Sequence, residues 1–341
     1  MLHSNLMSIS TSTSGVVCPQ MWTNYPRGRF NFGRKLSIII LSTTLTIYVP
    51  TLRLFGDGGF VQDKLPQRSI AQFHYFERDH EMKQYIVDAF TDKPFSGNPA
   101  AVCVMEKWPS EESMMKLAME NNLSETAFIV KESAGYHLRW FTPGTEVELC
   151  GHATLASAFV VLNYYEPGSD VVQFNTLSGV LSVKRKGSLY EMDFPTYELK
   201  EIPVTDVMEQ AFGVRPVKAV LGLDLVCVFE TEEQVRSMQP DQELLKCIEG
   251  RIQNATAKGK ETDCVSRSFC PKLSIAEDPV CGSAHCQIAD YWAREMNKKQ
   301  IFACQASKRG GYLRCLMKEN GRISISGEAV LVAVSEIVAE L

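Results

Sequence analysis

Two short motifs occur twice in this chain, in the same order and at nearly the same spacing. Arg139-Trp140-Phe141-Thr142-Pro143 is followed by Cys150-Gly151-His152-Ala153, and Arg267-Ser268-Phe269-Cys270-Pro271 by Cys281-Gly282-Ser283-Ala284. The shared pattern is R-x-F-x-P and then C-G-x-A, with offsets of 128 and 131 residues. That period is too long for a solenoid repeat and predicts two homologous halves facing one another. Each C-G-x-A stands between an acidic or proline-containing loop and an apolar stretch with the pattern of a buried helix. A glycine there lets a ligand approach the backbone, and the amides of a first helical turn carry partial positive charge. Two such helix starts meeting in one cleft would clamp a carboxylate.

Composition narrows the class of protein. The 341 residues carry 35 Lys+Arg against 40 Asp+Glu, net −5, so overall charge does not favour nucleic acid as a partner. Eleven cysteines, an odd number without a C-x-x-C pair, read as reduced thiols and predict a cytoplasmic protein. Charge also exposes a seam. Residues 1–81 hold eight Lys+Arg and five Asp+Glu, net +3, leaving 27 against 35, net −8, for residues 82–341. The leader contains an apolar run from Leu36 to Val49, stopped by Pro50. As a helix its fourteen residues would rise about 21 Å, short of a hydrocarbon core of about 30 Å. Extending to Phe55 reaches the length only by including Pro50 and Arg53. The run fits an anchor, a presequence or, from its β-branched residues, a strand, and a membrane partner is expected only if Leu36 to Phe55 is a real anchor. Met82, directly before the first well-patterned segment, also fits an alternative start.

Residues 82–341 read as an α+β chain with more strands than helices. Strand patterns span 84–90, 100–105, 126–131, 136–141, 171–174, 179–185, 189–194, 300–305, 313–317 and 323–325. Helical patterns span 110–121, with Ser110 as cap, then 153–165, 204–212, 232–239, 242–248 and 284–295; the stretch 217–229 is β-rich around Gly222. The expected domains are a leader over 1–81, a first half over 82–193, a second half over 194–325, and a segment 326–341 returning to the first half. Glu125 follows a helix and enters an apolar strand, an odd place for a surface carboxylate. A partly buried carboxyl there is a candidate for trading protons with carbon; a turn or capping role is the plainer alternative.

These motifs together resemble the phenazine biosynthesis-like (PhzF-like) family. DAFTDKPFSGNPAAVC, NLSETAF, RWFTPGTEVELCGHATLASA, SRSFCPKLSIAEDPVCGSAH and QASKRGG occur in the family's order and cover about residues 83–341. The resemblance implies a diaminopimelate-epimerase-like fold, with a curved sheet around a central helix in each half and the active site in the cleft between. It implies Glu125 as the proton-transferring group, with His152 and Asp278 assisting, and Gly151, Gly282 and Ser283 holding a small carboxylate-bearing metabolite. It further implies a cofactor-independent isomerase without a metal, and a homodimer. The sequence itself offers no G-x-G-x-x-G, P-loop or clustered histidine ligands.

Cys281 departs from the family, which usually has threonine there. With Cys150 opposite, both repeats read Cys-Gly, like the two-cysteine racemases of the same fold. Cys150 and Cys281 are therefore an alternative acid/base pair, since a thiol at a helix start is expected to have a lowered pKa. A member that binds ligand without turnover is the third reading, favoured by the loose match of about 195–262. Tyr85, Trp140 and Tyr291 are expected to shape the cleft. The basic turn Lys308-Arg309-Gly310-Gly311 is too small for a nucleic-acid patch.

Overall fold

A computed structural model describes residues 82–133, 135–339 and 341, with short backbone segments before residue 82. The chain divides into two units, Met1–His80 and Glu81–Leu341. In the first unit Ile38–Leu41 and Thr44–Ile47 pair antiparallel, so the described part of the apolar run is strand. The remaining residues of Leu36 to Phe55 lie outside the described residues. Among the described residues no helix is long and apolar enough to cross a membrane.

The second unit is built from two ladders with one pattern of pairing. The first runs Ala329–Ile337, Met82–Ala89, Asn98–Met105, Glu125–Glu132, Gly135–Phe141, Val171–Thr176, Gly179–Lys186 and Leu189–Pro195. Its seven steps are antiparallel, antiparallel, parallel, antiparallel, parallel, antiparallel and antiparallel. The second runs Lys200–Ile202, Lys218–Leu221, Leu225–Val228, Gln253–Lys258, Cys264–Cys270, Gln300–Gln305, Gly311–Met317 and Arg322–Gly327, with the identical sequence of steps. The last strands of the two ladders pair with each other, antiparallel, from Tyr190↔Gly327 to Pro195↔Arg322. The architecture is α+β with two pseudo-symmetric halves.

Each parallel step needs a long crossover, and every α-helix of this unit except Asp206–Phe212 lies in one. The first central helix, Gly151–Val160, and the second, Gly282–Met296, make corresponding crossovers in the two halves. GHATLASAFV is apolar nearly all round, and such a helix is stable only when enclosed; eight of its ten residues are buried. The inner sheet faces and both central helices share one core, including Ala127, Trp140, Ala153, Ala284 and Ile288. The outer faces carry smaller cores, one under Glu111–Asn121 and one under Asp206–Phe212 and its neighbours. Ser110 caps Glu111–Asn121 by accepting from Ser113 N at 3.1 Å, so that helix starts where its sequence signal falls.

Two central strands of the second half escape a hydrophobic pattern. Gln253–Lys258 (QNATAK) and Cys264–Cys270 (CVSRSFC) are buried almost throughout yet rich in polar residues. Their polar groups are paired inside: Thr256 Oγ1 donates to Val265 O at 2.7 Å, and Ser268 Oγ to Asn254 Oδ1 at 2.7 Å. Such strands have no polar face to alternate with an apolar one, so periodicity cannot find them. The helix expected over 153–165 also ends sooner: after Val160 the backbone widens into a π turn, Val161–Tyr165.

Candidate active site

The two helix starts meet. A methyl group built on Gly151 would lie 3.9 Å from Gly282 Cα and 3.8 Å from Phe194 Cζ; one on Gly282 would lie 3.7 Å from Phe90 Cζ. These are ordinary contacts, and neither glycine has a left-handed backbone. Packing and backbone geometry would therefore tolerate a side chain at both positions. What a side chain would obstruct is the approach to the first-turn amides, which lack intrahelical acceptors.

Glu125 enters this junction from the first residue of its strand, and His152 from the first turn of the first central helix. Glu125 Oε2 and His152 Nε2 stand 3.0 Å apart, with 13% and 6% of the two side chains exposed. The contact is within ion-pair distance but off the line of a hydrogen bond, and both atoms are buried without another partner. Each thus keeps a hydrogen-bonding capacity that no other group among the described residues fills.

Behind His152 a chain of polar contacts crosses to the second half. Asn98 Nδ2 faces His152 Nδ1 at 3.1 Å, and donates to Asp278 Oδ1 at 2.9 Å and Val280 O at 3.1 Å. The amide has two hydrogens for these three partners; where one is shared with Nδ1 of the neutral ring, the ring proton lies on Nε2, toward Glu125. In the protonated ring Nδ1–H finds the Cys150 sulfur at 3.5 Å. Asp278 therefore reaches His152 through Asn98. Gln305 fixes this edge of the second half: its Oε1 accepts from Cys281 N at 2.8 Å and its Nε2 donates to Asp278 O at 2.6 Å.

Burial governs the titration of this cluster. It raises Asp278 to about 6, with Glu125 adding to the rise and His152 opposing it. Burial disfavours charged His152, but Cys150 and Glu125 outweigh it and hold the imidazole well above its ordinary value. Burial raises the Cys150 thiol too, with Glu125 adding to the rise and His152 opposing it. Cys281 is pushed well above the ordinary thiol value, chiefly by burial and then by Asp278 and Cys270. The lowered thiol pKa expected at these helix starts is thus reversed at both positions, because desolvation outweighs the helix dipole. Ser283 Oγ lies 3.4 Å from the Cys281 sulfur, at the helix start where substrate binding was expected.

Glu125, Cys150 and His152 also bring three ligand-type atoms within 4.8 Å of one another. Glu125 meets the imidazole at Nε2 and Cys150 meets it at Nδ1.

Other expectations about the cleft change. Tyr85 packs on Tyr164 and Tyr165, beyond the far end of the first central helix, with ring centroids 5.2 and 6.2 Å away. Tyr291 is nine residues past Gly282, about 13 Å along its helix, beside Trp292. Trp140 is wholly enclosed, in the core it shares with Ala127. Asn98 and Gln305 went unnoticed as site residues: Gly97-Asn98-Pro99 reads as a turn, and Gln305 ends a strand without any local signal of chemistry.

The repeated arginines have a shared task that the sequence left unread. Arg139 binds Glu146 through Nε and Nη2, both at 2.7 Å, and Arg267 binds Glu277 through the same atoms, both at 2.8 Å. Each guanidinium also lies over the phenylalanine two residues on, 5.2 Å from Phe141 and 4.9 Å from Phe269. Glu146 and Glu277 differ by 131 positions, the offset of the C-G-x-A motif.

Pseudo-symmetric halves that bring two helix starts together around buried ionisable groups define an epimerase-like class of architecture. The chain belongs to the phenazine biosynthesis-like protein family, whose model matches residues 87–335. An uncharacterized isomerase of Pseudomonas aeruginosa is 44% identical over 258 residues, 75% of this chain and 98% of its own. The phenazine biosynthesis-like domain-containing protein 1 of Mus musculus is 38% identical over 278 residues, 73% and 96% of the two chains. Among solved structures, a PhzF family protein of Enterococcus faecalis is 48% identical with a TM-score of 0.74, covering 76% of this chain and all of that one. A hydroxyproline epimerase from Agrobacterium vitis shares the fold alone, at 9% identity and a TM-score of 0.51, with 76% and 92% covered.

Proposed function

We propose that the protein is a cofactor-independent isomerase that moves a proton between carbons of a small carboxylate, with Glu125 as general acid and base. The observation carrying this reading is the buried pair of Glu125 Oε2 and His152 Nε2, 3.0 Å apart and otherwise unpartnered, where two helix starts converge. The substrate carboxylate would rest on the amides following Cys150 and Cys281, with the Ser283 hydroxyl beside it. The Glu125 carboxylate takes a proton from carbon, and the bonding electrons move into the adjoining π system of the substrate. The resulting carboxylic acid exchanges its proton with water and gives one to a different carbon, so atoms and charge balance without a redox partner. Fixed donors at the helix starts stabilise the negative charge that develops on the substrate. His152 steadies the Glu125 carboxylate, and Asn98 and Asp278 hold the imidazole from behind.

The burial that raises both thiols supports Glu125 over the Cys150–Cys281 pair, since deprotonating carbon with sulfur requires a thiolate. A panel of small carboxylates incubated with the protein in heavy water tests the proposal by mass spectrometry. Deuterium should enter at least one member, and Glu125→Gln should slow that entry by about 10²- to 10⁴-fold. A panel that gains no deuterium with the unaltered protein would favour a ligand-binding member and contradict the proposal.

A further inference from the structure

The two glycines at the helix starts are each backed by the tip of a phenylalanine ring, but the rings reach them by different routes. Behind Gly151 the ring is Phe194, 3.8 Å from a built methyl, supplied by the last strand of the first ladder. Buried positions on that strand are Tyr190, Met192 and Phe194; the matching positions of the second ladder's last strand are Ile323, Ile325 and Gly327. The pairing Tyr190↔Gly327, Met192↔Ile325 and Phe194↔Ile323 is what a twofold relation between the strands requires. Where the first half has Phe194, the second half therefore has glycine. The vacant space is filled by Phe90: a methyl group on Gly327 would stand 2.4 Å from Phe90 Cδ1.

Phe90 reaches this place at a cost in backbone geometry. Its φ is +64°, a left-handed value that a bulky residue rarely adopts, and it is fully buried. Strain of this kind persists only where the surroundings over-determine it. Here Phe90 N donates to Glu328 O at 2.8 Å, and Tyr312 N donates to Phe90 O at 2.9 Å, both from strands or turns of the second half. The turn that follows is clamped as well. Arg309 donates to Asp88 Oδ1 at 2.7 Å, Gly97 O at 2.8 Å and Ser96 O at 2.9 Å, while Gly97 N donates to Gly310 O at 2.7 Å.

We propose that Phe90 is a positioning residue: a ring lent by the first half that replaces the missing counterpart of Phe194 and fixes the start of the second central helix. That the amides of this helix start hold a substrate carboxylate rests on the function proposed above; the placement of the helix start does not. Hydrogen exchange separates the two. The probes are the His285 amide, bonded to Cys281 O, and the Thr154 amide, bonded to Cys150 O, the corresponding bonds of the two helices. Phe90→Ala should speed exchange around His285 about tenfold or more and leave Thr154 within about twofold, and Phe194→Ala should do the reverse. Phe90→Leu should restore most of the protection. Phe90→Gly relieves the backbone strain yet should still expose His285, and adding Gly327→Phe to it should recover protection by the first half's route. Exchange in Phe90→Ala that is unchanged, or raised equally in both helices, would overturn the proposal, whatever the heavy-water panel shows. If the panel yields a substrate, Phe90→Ala should also raise KM about tenfold with kcat within about threefold, the signature of lost carboxylate binding.

Discussion

The two halves repeat a scaffold and diverge in what they place on it. Phe128 lies opposite Arg139 and Ala255 opposite Arg267, so the ladder register makes Ile252 the counterpart of Glu125. One is a carboxyl at the cleft. The other is a buried apolar side chain in the core the two halves share. The first turns of the central helices differ likewise: His152 corresponds to Ser283, and Thr154 to His285. Thr154 Oγ1 donates to Cys150 O at 2.5 Å, and His285 Nδ1 to Cys281 O at 2.7 Å, so two residue types tie down the same carbonyl. What stays alike is what holds the halves in shape, the Arg–Glu pairs and the helix starts. What differs is the ionisable equipment: Glu125 and His152 stand on the first half, Asp278 and His285 on the second. A single acid that both takes and returns a proton suits that asymmetry better than a matched pair of groups on opposite faces.

Substitution at these corresponding positions is the sharpest way to break this comparison. Glu125→Gln should cost about 10³-fold in proton exchange while moving the melting temperature little, because it removes a reacting group and leaves its shape. Ile252→Glu, at the corresponding position of the second half, should do the opposite: a carboxylate buried in the apolar core should destabilise the protein by about 3 kcal/mol in urea unfolding and add no activity. The double variant should stay inactive.

The arginine pairs come next. Arg267 is the more enclosed of the two and also donates to Met238 O at 2.5 Å, whereas Arg139 reaches outward to Glu111 at 2.9 Å. Arg267→Leu should therefore cost about 4 kcal/mol and Arg139→Leu about half of that in the same assay. Equal losses would mean that the buried carbonyl contacts contribute nothing.

A smaller effect lies in the pH dependence of stability. Burial lowers His285 to about 4, against which its bond to Cys281 O works only in part. The folded state then binds fewer protons than the unfolded chain between about 4 and 6.5, so this residue's contribution is lost as pH falls through that window. Asp278, raised to about 6, has the opposite sign: its contribution is lost as pH rises from about 4 to about 6. His285→Thr, copying Thr154, should leave the Asp278 trend exposed, gaining up to about 3 kcal/mol relative to the unaltered protein as pH falls from 6.5 to 4. Parallel stability curves for the two proteins would contradict the assignment.

Local pattern carried much of this architecture but little of its polar wiring. The motif repeat announced two halves, and the apolar helices after each C-G-x-A placed the core, because enclosure of a helix leaves a composition that can be read directly. Gln253–Lys258 and Cys264–Cys270 were invisible for the reverse reason, their buried faces being polar and internally paired. Glu125 stood out as a carboxyl where an apolar strand begins. Asn98 did not, since its partners His152 and Asp278 lie 54 and 180 residues away and Gly97-Asn98-Pro99 has a complete local explanation as a turn. The behaviour of the thiols was misread because a helix start alone predicts a lower pKa, while desolvation is a property of the folded cleft.

The central claim is that one carboxyl carries the chemistry, and it is tested most directly by removing both sulfurs at once. With a carboxylate found by the heavy-water panel, the Cys150→Ser, Cys281→Ser double variant should retain deuterium incorporation within about threefold of the unaltered protein, beside a Glu125→Gln protein that has lost about 10³-fold. Incorporation that vanishes with the two cysteines and survives the loss of the Glu125 carboxyl would contradict it.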